Sequence, residues 1–238
     1  MKKSPPNPAQ QPPFMTPFLL GSLFLSGTAC LVLELAGARL ISPFYGSSIY
    51  TWSAMITVTM VALALGYAWG GRRADRQPYL LLFARLLTAA GLTVAAVPWL
   101  RVPVLRASLP LGVQAGAFAS AAALLGPALM LLGALGPIAV RLTATGAFDS
   151  GRKSGDAWAV STSGSVLGAV LTGFILIPHL PISQILFGTA LLLLLLGALG
   201  TWLAQRALPL GQLAACAACV GLLLMRSEER RVGKECRL

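Results

Sequence analysis

The chain has 238 residues, of which 56% are hydrophobic and only 11% are charged, whereas an average soluble domain carries roughly 25% charged residues. So few charges cannot cover a soluble surface, and the apolar residues fall in long blocks, which predicts an all-α, polytopic membrane helix bundle. The formal net charge is +11, but the basic residues lie at the ends of the apolar blocks. Charges so placed orient membrane helices, so no nucleic-acid partner is expected.

The first sixteen residues, 1–16, are polar and rich in proline, which predicts a short disordered leader. Lys2 and Lys3 precede an apolar run, as in a signal peptide. That run is long and has no A-x-A-like cleavage site after it, so it is interpreted as a first membrane span. Residues 17–225 are then predicted to form the transmembrane domain.

Seven blocks are long enough for a bilayer crossing, which needs about 20 mostly apolar residues. They lack the period-two alternation of barrel strands and are therefore predicted as helices. If the N-terminus is cytoplasmic, nine Lys and Arg residues fall in inner segments and three in outer segments. That bias favours a cytoplasmic N-terminus. The expected location is a bacterial inner membrane. The blocks are 17–37, 51–70, 79–100, 115–141, 158–178, 182–203 and 207–225.

Glu34 is the only acidic residue inside an apolar block. A charged carboxylate in a membrane is costly unless it is paired or protonated. Two interpretations stay open: a structural ion pair, for instance with Arg39, or a proton- or cation-binding group. Arg85 is the other charge predicted at membrane depth, where its long side chain can snorkel toward the inner face.

A basic turn over residues 71–76 ends the second block. Asp75 is predicted just before the third helix, where a carboxylate favours the positive end of the helix dipole. The turn is either an ordinary cytoplasmic loop or the G-x-x-A-D-R turn of the major facilitator superfamily, which Gly71, Asp75 and Arg76 resemble. Arg73 departs from that pattern, as does the continuation at 77–78, so no strong gating role is inferred.

Small residues recur every fourth position in the second and fifth blocks, and such stripes let membrane helices approach closely. The fourth block contains Pro127 and Pro137, which either kink a helix that lines a site or are ordinary membrane-helix prolines. A weak likeness between segments 52–66 and 158–173 suggests a three-plus-three repeat. The stripes are Ala62, Gly66 and Gly70 in the second block, and Ser161, Gly164, Ser165 and Gly168 in the fifth.

Catalytic and metal-binding motifs are missing from the sequence, which has no G-x-G-x-x-G, Walker or H-E-x-x-H pattern. Cys216 and Cys219 form a lone CxxC, for which small buried or lipid-facing thiols are the favoured interpretation. The only histidine, His179, is predicted on the opposite membrane side from the aspartates, which argues against a Ser-His-Asp arrangement. No catalytic residue, metal or cofactor is therefore expected in this chain.

The last thirteen residues, 226–238, are abruptly charged. One interpretation is a solvated terminus after a last helix. The other is a non-native tail, because residues 226–236 resemble the conceptual translation of a sequencing-adapter read-through. On that interpretation the natural protein is truncated near Met225.

Four stretches carry a family resemblance when they are taken in order: 33–46 followed by Trp52, 65–76, 132–142 and 159–178. Together they resemble the membrane domain of the fused MFS/spermidine synthase family, over residues 17–205. The resemblance implies an MFS-like half followed by a soluble, spermidine-synthase-like Rossmann domain with an S-adenosylmethionine-type site. No such domain lies within this sequence.

Three functions follow from these patterns. The first is the membrane module of a spermidine synthase-like fusion protein, which anchors the enzyme or moves a polyamine or a related small cation. The second is a free-standing MFS-like transporter of a small cationic solute without enzymatic activity. The third is a structural scaffold. The expected partners are the lipid bilayer, a small cation and a C-terminal synthase-like domain, and in a transporter Glu34 would supply the counter-charge.

Overall fold

A computed structural model describes residues 14–76, 79–144, 150–206 and 211–221. Within these ranges the backbone is helical apart from short turns, and no β-strand occurs. Six helical stretches are long and apolar enough to cross a membrane. The prediction of an all-α, polytopic membrane bundle is confirmed. The predicted tail, 226–238, lies outside the described residues, as does the predicted leader except for 14–16, of which Met15 already belongs to the first helix.

The helices follow one another with short connections. A 3-10 turn, Leu109–Leu111, joins the third helix to the fourth, and a π-helical stretch, Leu171–Leu176, joins the sixth to the seventh. The helices are α1 (Met15–Tyr45), α2 (Ile49–Arg76), α3 (Leu80–Ser108), α4 (Gly112–Leu124), α5 (Gly126–Thr143), α6 (Ser150–Val170), α7 (Ile177–His179), α8 (Ile182–Gln205) and α9 (Gly211–Gly221).

The chain turns back between α3 and α4. Gly112 has a φ of 79°, a backbone conformation that favours glycine. The hydroxyl oxygens of Ser108 and Ser120 lie 2.6 Å apart, although twelve residues of straight helix would separate them by about 18 Å. Therefore α4 returns alongside α3 and forms, together with α5, the fourth crossing.

A break at Leu125 divides this fourth crossing into α4 and α5. Leu125 has a φ of −113° and a ψ of −26°, away from regular helix values. Pro127 follows in the first turn of α5, where its missing N–H costs no helix hydrogen bond. Pro137 lies inside α5, where it does remove one.

Three helix pairs have the most extensive contacts: α1 with α6, α2 with α5, and α3 with α8. The first, second and third crossings can be matched with the fourth, fifth and sixth. The α1–α6 pair, which joins crossings one and five, then corresponds to the α2–α5 pair, which joins crossings two and four. The α3–α8 pair maps onto itself. The pairing therefore has the pattern of the three-plus-three repeat that Trp52 and Trp158 suggest.

The predicted seventh span, 207–225, is described only over α9. This apolar helix is about 16 Å long, about half the thickness of a bilayer core. Its Gln212 donates hydrogen bonds to the hydroxyls of Thr88 and Thr201, both at 3.0 Å, so α9 packs against α3 and α8. The described residues thus contain six crossings, and the seventh stays a prediction.

Candidate functional site

The small-residue stripe of α6 packs directly on the backbone of α1. A Cβ at Gly164 or Gly168 would collide with carbonyl groups of α1. Two hydroxyls also bridge the helices: Thr28 donates to the Gly164 carbonyl at 2.9 Å, and Ser165 donates to the Gly27 carbonyl at 3.1 Å. This contact, the α1–α6 seam, therefore combines close backbone approach with directional hydrogen bonds.

The stripe of α2 packs on α5 rather than on α6. A Cβ at Gly66 would collide with the Met130 carbonyl, and one at Gly70 would lie 2.6 Å from the Ala134 carbonyl oxygen. Ala62 is buried on α2, one turn before Gly66. Among the described residues no side-chain hydrogen bond crosses this contact, the α2–α5 seam. Around these glycines the seam is therefore held by close packing of the two backbones.

A cavity of about 120 Å³ lies between these two helix pairs. On α1 its lining runs from Leu23 to Glu34, an axial distance of about 16 Å. The remaining walls come from α2, α5 and α6, including Gly136 beside Pro137. The polar residues of the lining are Ser26, Glu34, Thr59, Tyr67, Ser161 and Ser165.

Glu34 lies near the middle of α1, about 6 Å beyond the centre of this 31-residue helix. Its side chain is half-buried and lines the cavity. Within the described ranges its carboxylate has neither an ion-pair nor a hydrogen-bond partner. Arg39 is exposed and lies five residues further along α1, so it is not a same-face neighbour at the i+4 position. Among the described residues, the ion pair that the sequence left open for Glu34 is therefore not formed.

Thr59 contributes a second polar group without a partner. Its hydroxyl is buried in the cavity wall and makes no hydrogen bond in the described part of the chain. Leaving a buried hydroxyl unsatisfied costs about 1–3 kcal/mol. Sequence reasoning missed Thr59, because threonine is ordinary in a membrane helix and only packing decides which face of α2 meets a cavity.

Tyr67 and Trp158 form an aromatic pair in the cavity wall. Their rings are edge to face, with centroids 4.8 Å apart and planes at 89°. Tyr67 lies in the last third of α2, and Trp158 lies in the first half of α6. Arginines lie at the end of α2 and at the start of α6, so this aromatic pair lies near the arginine-rich end of the bundle. Glu34 lies further from that end.

The residues of the basic turn lie away from the cavity. Gly71, Asp75 and Arg76 belong to the last turns of α2. Asp75 therefore lies at the C-terminal end of α2 and not at the N-terminal end of α3, where the sequence predicted it. Its carboxylate is 3.9 Å from the Arg141 guanidinium of α5, and both side chains are exposed. Such surface pairs contribute at most about 1 kcal/mol. The negative end of the α2 dipole disfavours Asp75 here, and Arg141 compensates.

The other predicted site residues are not brought together. Arg85 is exposed near the start of α3 and does not line the Glu34 cavity. Pro127 lines a separate apolar groove between α2, α4 and α5, while Pro137 lies next to the cavity-lining Gly136. Glu34, Arg39 and Arg85 thus lie in three different environments.

The cavity offers hydrogen-bond acceptors and aromatic faces but no metal-ligand set. In the parts of the chain that the structure describes, no group of three or more His, Cys, Asp or Glu side chains could hold a metal ion. Its chemistry therefore suits a small molecule that carries positive charge and hydrogen-bond donors. Comparison of the chain with protein-family models, curated proteins and solved structures finds no match.

Proposed function

We propose that the chain is a transporter-like membrane module whose cavity binds a small cationic solute, with Glu34 as the counter-charge. The observation that carries this proposal is the Glu34 carboxylate, which lines an intramembrane cavity and has no partner in the described structure. A charged side chain at the centre of a bilayer costs about 3 kcal/mol. A bound cation would offset that cost and give the carboxylate its missing partner.

The other lining groups suit the same ligand. Ser26 donates its hydroxyl proton to the Leu23 carbonyl, which leaves its oxygen lone pairs as acceptors. The Thr59 hydroxyl has no hydrogen-bond partner among the described residues. The faces of Tyr67 and Trp158 attract cations through their ring quadrupoles. An ammonium group, which has only donors, complements this set of acceptors.

The position of the cavity supports movement of the solute. It lies between two tightly packed pairs, α1–α6 and α2–α5, and contacts between the pairs are far less extensive than contacts within them. On this proposal, the two pairs move against each other and expose the cavity to one side of the membrane and then to the other. The break at Leu125 and the π-helical stretch Leu171–Leu176 provide points where the helices can bend.

The resemblance to the fused MFS/spermidine synthase family leads us to propose a polyamine or a related cation as the solute and a C-terminal synthase-like domain as the partner. The module would then anchor that domain in a bacterial inner membrane. We propose a cytoplasmic N-terminus, because the arginine-rich ends of α2 and α5 lie on the same side of the bundle as the start of α1.

A free-standing MFS-like transporter without enzymatic activity is the second candidate. One observation favours it: all the helices around the cavity belong to this chain, so the cation site requires no other domain. The cavity experiment below applies to both candidates, because both place the solute beside Glu34.

The test is uptake of labelled putrescine and spermidine by vesicles that contain the purified chain. We expect Glu34→Gln to lower uptake roughly tenfold or more, since it removes the charge that balances the solute. Asp156→Asn is the matched control, because Asp156 is an exposed acid on α6 outside the cavity lining. It should leave uptake unchanged.

Circular dichroism and gel filtration of both variants establish that they are folded. Equal uptake by Glu34→Gln and the unaltered chain would remove Glu34 from the mechanism. Uptake no higher than that of protein-free vesicles would reject transport and leave an anchoring or scaffold role.

A further inference from the structure

A second cavity, of about 460 Å³, lies at the arginine-rich end of the bundle, far from Glu34. It forms where α2 ends, α3 begins and α8 ends. Its polar lining consists of Arg73, Tyr79 and Arg85. Its apolar lining is leucine-rich, with residues 80–82 from α3 and Leu203 from α8.

The two arginines are free to bind a ligand. Both side chains are exposed, and neither has an ion-pair or hydrogen-bond partner among the described residues. The nearest acid in the sequence, Asp75, faces Arg141 instead. Two guanidinium groups in one cavity repel each other unless an anion lies between them, and their planar donor arrays match the geometry of phosphate oxygens.

The depth of the cavity corresponds to the level of lipid headgroups. Arg85 lies five residues after Leu80, where α3 begins, which is an axial distance of about 7.5 Å. The polar interface of a bilayer is about 5–7 Å thick on each side, so the Arg85 side chain can reach phosphates by snorkelling. Tyr79 is half-exposed just before the start of α3, as aromatic residues of the membrane interface are.

The leucines distinguish a lipid from a soluble anion. A binding site for free phosphate does not require an apolar surface. A phospholipid does require one, because its acyl chains lie directly below the headgroup. The leucines of α3 and α8 provide that surface next to the guanidinium groups. We propose that this cavity binds an anionic phospholipid, with its phosphate between Arg73 and Arg85 and its acyl chains along α3 and α8. The proposal is independent of the Glu34 site.

Native mass spectrometry of the purified full chain tests the proposal. The chain is incubated in detergent micelles with phosphatidylglycerol or with phosphatidylcholine, and bound lipid is counted. We expect one phosphatidylglycerol molecule to remain bound at concentrations where phosphatidylcholine does not. The paired substitution Arg73→Gln with Arg85→Gln should weaken its binding roughly tenfold or more.

The matched control is Arg101→Gln with Arg106→Gln, because these exposed arginines lie at the opposite end of α3 and their loss removes the same charge. It should leave phosphatidylglycerol binding unchanged. Should the glutamine pair fail to fold, Arg73→Lys with Arg85→Lys preserves the charge, and loss of the guanidinium geometry should still weaken binding several-fold.

Three outcomes would overturn the proposal. If the Arg73→Gln, Arg85→Gln variant and the Arg101→Gln, Arg106→Gln control lose phosphatidylglycerol binding equally, the lipid is attracted to positive charge in general and not to this cavity. Undiminished binding of phosphatidylglycerol by the Arg73→Gln, Arg85→Gln variant would mean that the lipid binds elsewhere. If only the Arg73→Lys, Arg85→Lys variant folds, undiminished binding by that variant would mean the same. Displacement of the lipid by millimolar glycerol phosphate would identify a site for a soluble phosphate instead.

Discussion

The α1–α6 seam and the α2–α5 seam are built from the same kind of sequence and held together differently. In both, glycines spaced four residues apart bring two backbones into contact. In the part of the chain that the structure describes, the α1–α6 seam adds hydrogen bonds between helices, from Thr28 to Gly164 and from Ser165 to Gly27, and the α2–α5 seam adds none. The α2–α5 seam is a smooth contact of glycine against the backbone near Met130 and Ala134.

This difference bears on which helices can shift. A hydrogen bond fixes the distance and direction between two atoms, whereas a van der Waals contact between smooth backbones tolerates sliding over a few tenths of an ångström. Glu34 lies on α1 beyond the seam contacts, so the α1–α6 seam fixes the position of the helix that carries the carboxylate. We expect the α2–α5 seam, which carries Thr59 and Tyr67, to be the more adaptable wall of the cavity.

The largest effect is expected where an added methyl group meets the backbone of the rigid seam. Gly164→Ala places a Cβ against the Phe24 carbonyl group of α1, which the two seam hydrogen bonds hold in place. Overpacking of this kind costs about 1–3 kcal/mol, and we expect the upper end of that range. Thermal unfolding in detergent, followed by circular dichroism, measures the loss.

Gly173→Ala is the matched control for this substitution, because nothing lies within 4 Å of a Cβ built at Gly173 in the same crossing. Its unfolding temperature should stay close to that of the unaltered chain. If both variants unfold at the same temperature, the α1–α6 seam is not the close contact described above.

A smaller effect is expected for the same change in the other seam. Gly70→Ala brings a Cβ to 2.6 Å from the Ala134 carbonyl oxygen, a shorter approach than a real side chain tolerates. Among the described residues no hydrogen bond crosses this seam, and the Asp75–Arg141 ion pair between the two helices is exposed and weak. Therefore α2 should move away slightly, and the cost should be about 1 kcal/mol. The same unfolding measurement ranks the two variants. A loss of stability greater than that of Gly164→Ala would contradict the view that the α2–α5 seam adapts more easily.

Much of the bundle follows from composition and spacing, because a bilayer admits few alternatives. An apolar stretch of sufficient length between charges has to be a helix, so six crossings were predictable, although several helices extend six to eight residues past the predicted ends. The glycines that lie in the seams, such as Gly66 and Gly164, were predictable because small residues recur there at a spacing of four residues. Glu34 could be singled out because no other acid lies in an apolar block.

The partners of these residues were not predictable from the sequence. The cavity brings Glu34, Thr59 and Trp158 together from three helices, and their proximity depends on how those helices rotate and cross. The same is true of Arg73 and Arg85, which share a cavity only because α2 and α3 meet at that end. The helical state of Asp75 was missed because 70–76 contains two adjacent glycines and four charges, a composition typical of a turn.

The smallest effect is expected when the bridging hydroxyls alone are removed from the α1–α6 seam. Thr28→Val keeps the shape of the side chain but loses the donor to the Gly164 carbonyl, and Ser165→Ala loses the donor to the Gly27 carbonyl. Hydrogen bonds between membrane helices contribute about 0.6 kcal/mol on average, and up to about 1.7 kcal/mol. Each single variant should therefore lose less stability than Gly164→Ala.

The double variant should lose more than the sum of the two, because each bond holds the other in register and the second loss frees the helices to separate. Additive losses in a double-mutant cycle would show that the two bonds act independently and would contradict the view that they hold each other in register.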